Sequence, residues 1–238
     1  MSMEGEITIK RTNPAADNIS GLKDHPKGKN SPVSIEDFSL FCRLLYERHL
    51  VAGFGGNASA RAGDKILITP SGYSLRDMKP GLVVTLQNDG KVLEGRPPTK
   101  DVEVHLGILN ARSDINVVCH IHGAFIIAAS TLLDIGPDSL PPITPGFAYF
   151  AHPLAMIPFM IPGTKELANA TAEQFSNYSC RAILLQNHGL VSIGENFKEA
   201  VNVAEEIDEA ARIYLLTNGK ARVISEENVR KIKNLSSN

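Results

Sequence analysis

Two histidines stand one residue apart at the end of a short apolar run, in the stretch NVVCHIHGAF over residues 116–125. Successive side chains of a strand point to opposite faces of its sheet. A strand here therefore places His120 and His122 on one face and Cys119 and Ile121 on the other. Such a pair can direct two imidazole nitrogens at one cation. The alternative is that both rings are ordinary hydrogen-bonding residues of a surface or a core.

A third histidine, His188, follows the apolar run of LLQNHGLV and precedes Gly189, which permits a sharp turn. Three histidines at the ends of predicted strands fit a site with three protein ligands and open positions for a substrate. The pattern therefore predicts a metal site of the catalytic kind on His120, His122 and His188. His105 lies on the predicted helix before the strand, where it either orients a group of that site or packs on the sheet.

Three turn segments are rich in small residues, hydroxyls and accessible backbone N–H groups, which suit a phosphate or a carboxylate. They are GGNAS (55–59), TPSG (69–72) and PPTKD (97–101). The third adds a lysine and a carboxylate at a predicted helix start, where the helix dipole also favours an anion. Each segment taken alone is equally consistent with an ordinary turn.

Hydrophobic spacing predicts the elements that must position these residues. Helices are predicted in SIEDFSLFCRLLYERHL, KDVEVHLGILNAR, AFIIAASTLL, GTKELANATAEQF and FKEAVNVAEEIDEAARIYLL. Strands are predicted in NASARAG, KILITPSG, the stretch with the two histidines, LAMIPFM and both halves of RAILLQNHGLVSIG. Asp89-Gly90 predicts a hairpin, and GPDSLPPITPG is predicted to be a loop. Ser34 and Asn196 are predicted helix caps.

The chain of 238 residues carries a net charge of −2 and has no long basic block, which argues against nucleic acid or a membrane surface as its main partner. Its apolar runs are shorter than the roughly 18 residues of a membrane span. Helices and strands alternate without a repeat or a linker, so the sequence predicts a single α/β domain.

The first residues are polar and lack the apolar core of a secretory signal. Three cysteines without CxxC spacing (Cys42, Cys119 and Cys180) indicate a reducing compartment, so a cytoplasmic protein is expected. Residues 1–30 are rich in Pro, Gly, Asn and Lys, and are predicted to form a flexible arm. The predicted catalytic domain then spans residues 31–238.

Seven motifs, in this order, make the chain resemble the class II aldolase/adducin family: GNASAR, ILITPSG, DGKVLEG, PPTKDVEVH, VVCHIHG, PGTKELA and ILLQNHGLVSIG. The likeness runs from about Ser34 to the last long helix. The family includes fuculose-phosphate aldolase, ribulose-phosphate 4-epimerase and 3-oxo-tetronate 4-phosphate decarboxylase.

The resemblance implies a three-layer αβα domain and a homotetramer with active sites at subunit interfaces. It implies one Zn²⁺ per chain, or another divalent ion such as Mn²⁺ or Co²⁺, on the three histidines, and a catalytic acid at Asp101. It also implies substrate-anion binding by Asn57, Ser71, Gly72, Thr99 and Lys100. In adducin-like members the metal site is lost and the fold is a scaffold, whereas this chain keeps all three histidines.

The chemistry implied by the resemblance proceeds through a metal-bound enediolate, which a Lewis-acidic ion stabilises. Retro-aldol cleavage releases an aldehyde, and loss of CO₂ from a 3-oxo acid gives the same enediolate. Re-addition of a rotated aldehyde gives epimerisation. Asp101 would move the proton as general acid and base.

Departures from the family pattern point in different directions. Aldolases of the family mostly carry Glu at the position of Asp101. The 4-epimerases carry Asp there, so this residue favours an epimerase. Thr99-Lys100 and the LPPITP start of the following loop resemble the sugar-acid decarboxylase branch. Pro145 stands where aldolases and epimerases place a proton donor, and the candidate substitutes are Tyr149, His152 and Tyr214.

The sequence thus predicts a metal-dependent carbon–carbon lyase. Its substrate is expected to be a small anionic ketose or sugar acid, and a phosphorylated one is the first expectation. The alternatives are a sugar-phosphate 4-epimerase and a non-catalytic scaffold.

Overall fold

The computed structural model describes residues 33–237. The predicted N-terminal arm over residues 1–30 lies outside the described residues. The strands are β1 (Asn57–Ala62), β2 (Lys65–Ile68), β3 (Val84–Gln87), β4 (Val92–Glu94), β5 (Val117–Ile121), β6 (Ala155–Ile157), β7 (Ala182–Leu185) and β8 (Gly189–Gly194). The helices are α1 (Ile35–Glu47), α2 (Val102–Ala111), α3 (Ala124–Ser130), α4 (Pro145–Phe150), α5 (Lys165–Phe175), α6 (Phe197–Leu216) and α7 (Glu226–Lys233).

All eight strands form one sheet in the order β4-β3-β2-β1-β5-β8-β7-β6. Neighbouring strands pair antiparallel except β6 and β7, which are parallel. Strands β1 and β8 flank β5, which carries His120. Asn57 of β1 pairs with His120 of β5, and His120 pairs with Val191 of β8.

Helices cover both faces of the sheet. One face packs against α1, α3, α4 and α6, and the other packs against α2 and α5. Strand β5 shows the alternation that a doubly covered strand requires, because Val117, Cys119 and Ile121 join the first core and Val118 joins the second. The predictions of an α/β fold and of three αβα layers are confirmed.

The predicted local signals are present at the starts of two helices and in one turn. Ser34 Oγ accepts a hydrogen bond from the backbone N–H of Asp37 at 3.0 Å, and Asn196 Oδ1 accepts one from Glu199 at 3.0 Å. These bonds satisfy N–H groups that a helix start leaves without an intrahelical partner. The Asp89-Gly90 turn joins β3 to β4 in an antiparallel hairpin, as predicted.

Two helices were not predicted. The expected loop over residues 136–146 ends in α4, which starts at Pro145 with Thr144 as its cap. Proline is tolerated at a first helical position because the N–H that it lacks has no partner there, and Phe147 is fully buried. Helix α7 packs on α4 and buries Val229, but it is otherwise so polar that its sequence offers few apolar residues from which a helix could be predicted. Among residues 33–237, no helix combines the length and the apolar character that crossing a membrane requires.

Candidate active site

The histidine cluster consists of His120, His122 and His188. His120 lies on β5, His122 follows the last residue of that strand, and His188 lies in the turn between β7 and β8. Because β5 and β8 pair antiparallel, this turn meets the end of β5. The Nε2 atom of His120 lies 2.9 Å from that of His122 and 3.2 Å from that of His188. The structure therefore brings all three predicted ligands together.

The histidine cluster suits a divalent ion. His120 donates from Nδ1 to the carbonyl oxygen of Leu190 at 3.1 Å, so its Nε2 keeps a free lone pair. Tetrahedral zinc with Zn–N bonds of about 2.0–2.1 Å holds its nitrogens about 3.3 Å apart, close to the observed separations. The ligand atoms of the three residues all lie within 4.8 Å of one another.

The electrostatics of the cluster favour neutral imidazoles. Burial, followed by the mutual repulsion of the rings, lowers the pKa of His120 well below its ordinary value and the pKa of His122 to about 4. Burial also lowers the pKa of His188. The three rings are therefore neutral at pH 7, which is the form that a metal requires of histidine.

Close packing fixes the orientation of the cluster. A methyl group at Gly189 would overlap the carbonyl oxygen of Ile121, and one at Gly55 would lie 2.7 Å from Nδ1 of His122. The turn that carries His188 is also tied down, because the backbone N–H of Asn187 donates to the buried Ser130 Oγ at 3.0 Å. Larger side chains at either glycine would displace a histidine.

Asp101 lies beside the cluster, immediately before α2. Its Oδ2 accepts a hydrogen bond from Asn57 Nδ2 at 2.9 Å and lies 4.0 Å from His120 Nε2. Its Oδ1 accepts a hydrogen bond from the backbone N–H of Gly163 at 3.0 Å. Because Asn57 pairs with His120 across the sheet, the same register brings the carboxylate and the imidazole together.

The three turn segments meet at this end of the sheet. Pro70 and Pro98 form an isolated antiparallel bridge, flanked by hydrogen bonds from Ser71 N to Pro97 O and from Thr99 N to Thr69 O, each of 3.0 Å. Thr69 in turn donates its N–H to Ala58 O of the first segment at 3.1 Å. The segments 55–59, 69–72 and 97–101 are therefore neighbours, with Asp101 at their edge.

The five predicted anion-binding residues differ in exposure. Asn57 and Thr99 are buried, Ser71 is half-buried, and Gly72 and Lys100 are exposed. The backbone N–H of Ser71 is occupied by Pro97, so this residue offers its hydroxyl rather than its N–H to a ligand. Together the three segments nevertheless place hydroxyls, an amide and a cation in one region.

The three candidate proton donors, Tyr149, His152 and Tyr214, make other contacts in the described chain. Tyr149 packs edge-on against Phe150 in α4, and the hydroxyl of Tyr214 lies beside Gly219 after α6. His152 Nδ1 lies 3.1 Å from an oxygen of Asp138, without the geometry of a hydrogen bond. Among residues 33–237, none of the three is hydrogen-bonded to Asp101 or to the histidine cluster.

The roles of Ser59, Ser130 and Gly163 were not predicted, although Ser59 lies inside the predicted segment 55–59. Ser59 could have been found, because it lies two residues after Asn57 on the same strand and therefore on the same face. Ser130 and Gly163 act through contacts between distant parts of the chain, for which the sequence carries no signal. His105, for which the sequence allows an orienting or a packing role, is fully buried and hydrogen-bonded to both Ser59 and Asn57.

Comparisons with known proteins agree with this geometry. L-fuculose phosphate aldolase of Methanocaldococcus jannaschii is 33% identical over 181 residues, which cover 76% of this chain and 95% of that protein. 3-oxo-tetronate 4-phosphate decarboxylase of Haemophilus influenzae is 30% identical over 197 residues, which cover 81% and 92%. The crystal structure of YgbL from Escherichia coli, described only as an aldolase/epimerase/decarboxylase candidate, superposes with a TM-score of 0.79 at 27% identity, covering 84% and 97%.

The two relatives are named an aldolase and a decarboxylase, and both are lyases, which confirms the prediction of a lyase. The family described as Class II Aldolase and Adducin N-terminal domain matches residues 36–215. This match spans every strand of the sheet, the histidine cluster and Asp101. The chain belongs to the class II aldolase and adducin family.

Proposed function

We propose that this chain is a divalent-metal-dependent carbon–carbon lyase acting on a small anionic sugar-derived substrate. The reaction is retro-aldol cleavage of a sugar phosphate or decarboxylation of a 3-oxo sugar-acid phosphate. The observation that carries the proposal is the position of Asp101, whose Oδ2 lies 4.0 Å from His120 Nε2 at the meeting point of the three turn segments. The printed activities of the relatives support the same two reactions.

His120, His122 and His188 would hold one ion per chain, with zinc as the first candidate and manganese or cobalt as alternatives. When bound, such an ion acts as a Lewis acid on a carbonyl oxygen and a neighbouring hydroxyl of the substrate, and so stabilises negative charge that develops there. Three neutral imidazoles suit zinc, copper, nickel and iron more than calcium or magnesium, which prefer oxygen.

Asp101 would move the proton. In retro-aldol cleavage the Asp101 carboxylate accepts the proton of the hydroxyl group on the carbon that becomes the aldehyde. The carbon–carbon bond then breaks, and its electron pair stays on the carbon beside the carbonyl. In decarboxylation the same carbon keeps the electron pair when CO₂ leaves, and it then takes a proton that Asp101 would relay from solvent. Each carboxylate oxygen accepts one protein hydrogen bond and keeps lone-pair capacity for the substrate.

Lys100 and Thr99 would bind the anionic end of the substrate, together with Asn57, Ser71 and Gly72. Within residues 33–237, Lys100 has no carboxylate partner and is exposed. Its position directly before Asp101 keeps a positive charge near the reacting carbon. A surface lysine without a ligand is the alternative, since most lysines are exposed.

The proposal includes a homotetramer with active sites at subunit interfaces. Apolar side chains border the site: Phe54 is 76% exposed beside Gly55, and Phe159 and Ile161, before Gly163, are 51% and 61% exposed. Exposed apolar side chains near a site support contact with another subunit. Light scattering of the purified protein measures the mass, and a monomer would contradict this part. The cytoplasmic location stays a prediction.

A sugar-phosphate 4-epimerase is the second candidate, favoured by an aspartate rather than a glutamate at position 101. Epimerisation would need the same bond cleavage, followed by re-addition of the aldehyde. The products separate the two candidates, because an epimerase returns a stereoisomer of its substrate and releases neither aldehyde nor CO₂.

The experiment tests metal, acid and product together. Metal analysis of purified or reconstituted protein should find about one zinc-like ion per chain, and His122→Ala should lose it. Metal-loaded protein is then offered phosphorylated ketoses and 3-oxo sugar-acid phosphates, with aldehyde and CO₂ both followed. Asp101→Asn should lower turnover by roughly 10²- to 10⁴-fold while the fold and metal content stay unchanged. Absence of metal after reconstitution would favour the scaffold, and unchanged turnover of Asp101→Asn would remove its role.

A further inference from the structure

A chain of buried polar side chains leads from the sheet to Asp101. Ser59 Oγ lies 2.8 Å from His105 Nδ1, and His105 Nε2 lies 2.5 Å from Asn57 Oδ1. Asn57 Nδ2 then donates to Asp101 Oδ2 at 2.9 Å. Ser59 and His105 are fully buried and Asn57 is 6% exposed. Three residues from β1 and α2 thus connect in series to the proposed acid.

The donor and acceptor in each hydrogen bond of this series follow from Asp101, its last member. An ionised carboxylate only accepts hydrogen bonds, so Asn57 must turn its NH₂ group toward Asp101 and its carbonyl oxygen toward His105. That oxygen also only accepts, so His105 must donate from Nε2. A neutral imidazole that donates from Nε2 accepts at Nδ1, so Ser59 must donate its hydroxyl proton to Nδ1.

Burial keeps His105 in this neutral form. Removal from water lowers the pKa of His105 to about 4, against the smaller opposing effect of the charge on Asp101. The other tautomer would set the Nε2 lone pair against the Asn57 carbonyl oxygen at 2.5 Å, which is repulsive. The geometry therefore accommodates one tautomer of His105 and one orientation of the Asn57 amide.

We propose that Ser59 and His105 are positioning residues that lock the amide of Asn57 with its N–H toward Asp101, and so hold the carboxylate in its reactive orientation. The inference rests on the proposed role of Asp101. An amide rotated by half a turn would place two acceptors against each other at Asp101. The lock prevents this, and it also leaves the second N–H of Asn57 available to the substrate.

A structural role for His105 predicts different behaviour from a positioning role. If His105 only fills the core, its replacement lowers stability, and its effect on turnover is independent of residue 101. If it acts through Asp101, its effect on turnover disappears once the carboxylate is absent. Two substitutions separate these cases, because glutamine keeps a donor near the place of Nε2 whereas leucine keeps only bulk.

The test uses the metal-loaded protein and substrate found for the proposed function. His105→Leu should lower kcat by roughly 10- to 100-fold, the scale of a 1 Å misplacement of a reacting group. His105→Gln should recover most of that loss. Asp101→Asn combined with His105→Leu should be no slower than Asp101→Asn alone. Ser59→Ala should lower kcat in the same direction, whereas Ser192→Ala, an equally buried serine that bonds the carbonyl of Ala200, should not.

A measurement without turnover tests the lock directly. Nitrogen-15 NMR of labelled wild-type protein should show His105 as the neutral tautomer with its proton on Nε2 between pH 6 and 8. A proton on Nδ1, or equal kcat losses for His105→Gln and His105→Leu, would overturn the inference. So would additive losses in the double variant. These outcomes leave the proposed function standing, whereas unchanged turnover of Asp101→Asn removes the proposed function itself.

Discussion

Replacing Gly55 with alanine should weaken metal binding far more than it weakens the fold. A Cβ atom at this position would lie 2.7 Å from Nδ1 of His122 and 3.1 Å from the carbonyl oxygen of Ala52. The backbone of His122 cannot retreat easily, because its N–H donates to Leu50 O at 3.0 Å. The imidazole ring must therefore rotate away from the position that faces His120.

The size of this movement sets the expected loss. Ordinary contact between nonbonded heavy atoms is about 3.5 Å, so the ring must move by roughly 0.8 Å. Ligand distances in metal sites vary by only about 0.2 Å, so His122 would leave the coordination sphere. Disturbing a group that merely supports a ligand weakens metal binding by about 10- to 100-fold, and we expect at least the upper end of this range.

The fold should tolerate the same substitution. The closest contact of the added methyl group is with a ring that can rotate, and its 3.1 Å contact with the Ala52 carbonyl oxygen requires a shift of only a few tenths of an ångström. The backbone of Gly55 is not in the left-handed region. Alanine also restricts the unfolded chain, which contributes about 0.4–1 kcal/mol in favour of folding. The free energy of unfolding of the metal-free protein should therefore change by less than about 1 kcal/mol.

Competitive titration with a chelating dye measures the metal affinity, and urea unfolding of metal-free protein measures the stability. Gly81→Ala is the matched control, because a Cβ atom there meets nothing within 4 Å. It should bind metal as the wild type does. Wild-type metal affinity in Gly55→Ala would refute the steric reasoning and would also weaken the case for His122 as a ligand.

Three further predictions concern other parts of the site. Lys100→Met should raise KM for an anionic substrate by roughly 10- to 100-fold, because it loses a charge-assisted contact of about 1.5–3 kcal/mol. Steady-state kinetics checks this, with Lys198→Met, at an exposed lysine, as the control. Ser130→Ala removes the acceptor for Asn187 N–H and should weaken metal binding by about tenfold in the dye titration. In metal-free protein, lowering the pH from 6.5 to about 4 should destabilise the fold. In this range His105 is protonated in the unfolded chain but stays neutral in the folded protein, because burial lowers its pKa to about 4. This group contributes about 1.4 kcal/mol per pH unit in that window, so urea unfolding of His105→Gln should show a flatter pH dependence, and equal slopes would contradict it.

The histidine cluster could be predicted from the sequence because its information is local. Strand alternation alone places His120 and His122 on one side of the sheet, and the glycine after His188 marks the turn that brings the third ring to them. Their convergence required only that β5 and β8 be neighbours. The family resemblance then assigned Asp101, which the spacing of residues alone did not.

The contacts that orient Asp101 could not be predicted in the same way. His105 of α2 reaches Asn57 of β1 only because α2 docks on this face of the sheet, and Gly163 reaches Asp101 across 62 positions of the chain. Such contacts depend on how helices dock on the sheet, which no short pattern encodes. Helix α4 was not predicted for a different reason: Thr144 and Pro145 are as typical of a loop as of a helix start.

The placement of Asp101 suggests how one family supports several reactions. Its carboxylate is held by β1 through Asn57 and by the backbone before α5 through Gly163, while its neighbour Lys100 projects into solvent. The parts that would break a bond and move a proton thus belong to the packed sheet and helices. Two of the residues that would select the substrate, Gly72 and Lys100, are exposed turn residues, which can change without disturbing that core. Differences in outcome among relatives at about 30% identity are therefore expected to follow the residues around Lys100 rather than the histidine cluster.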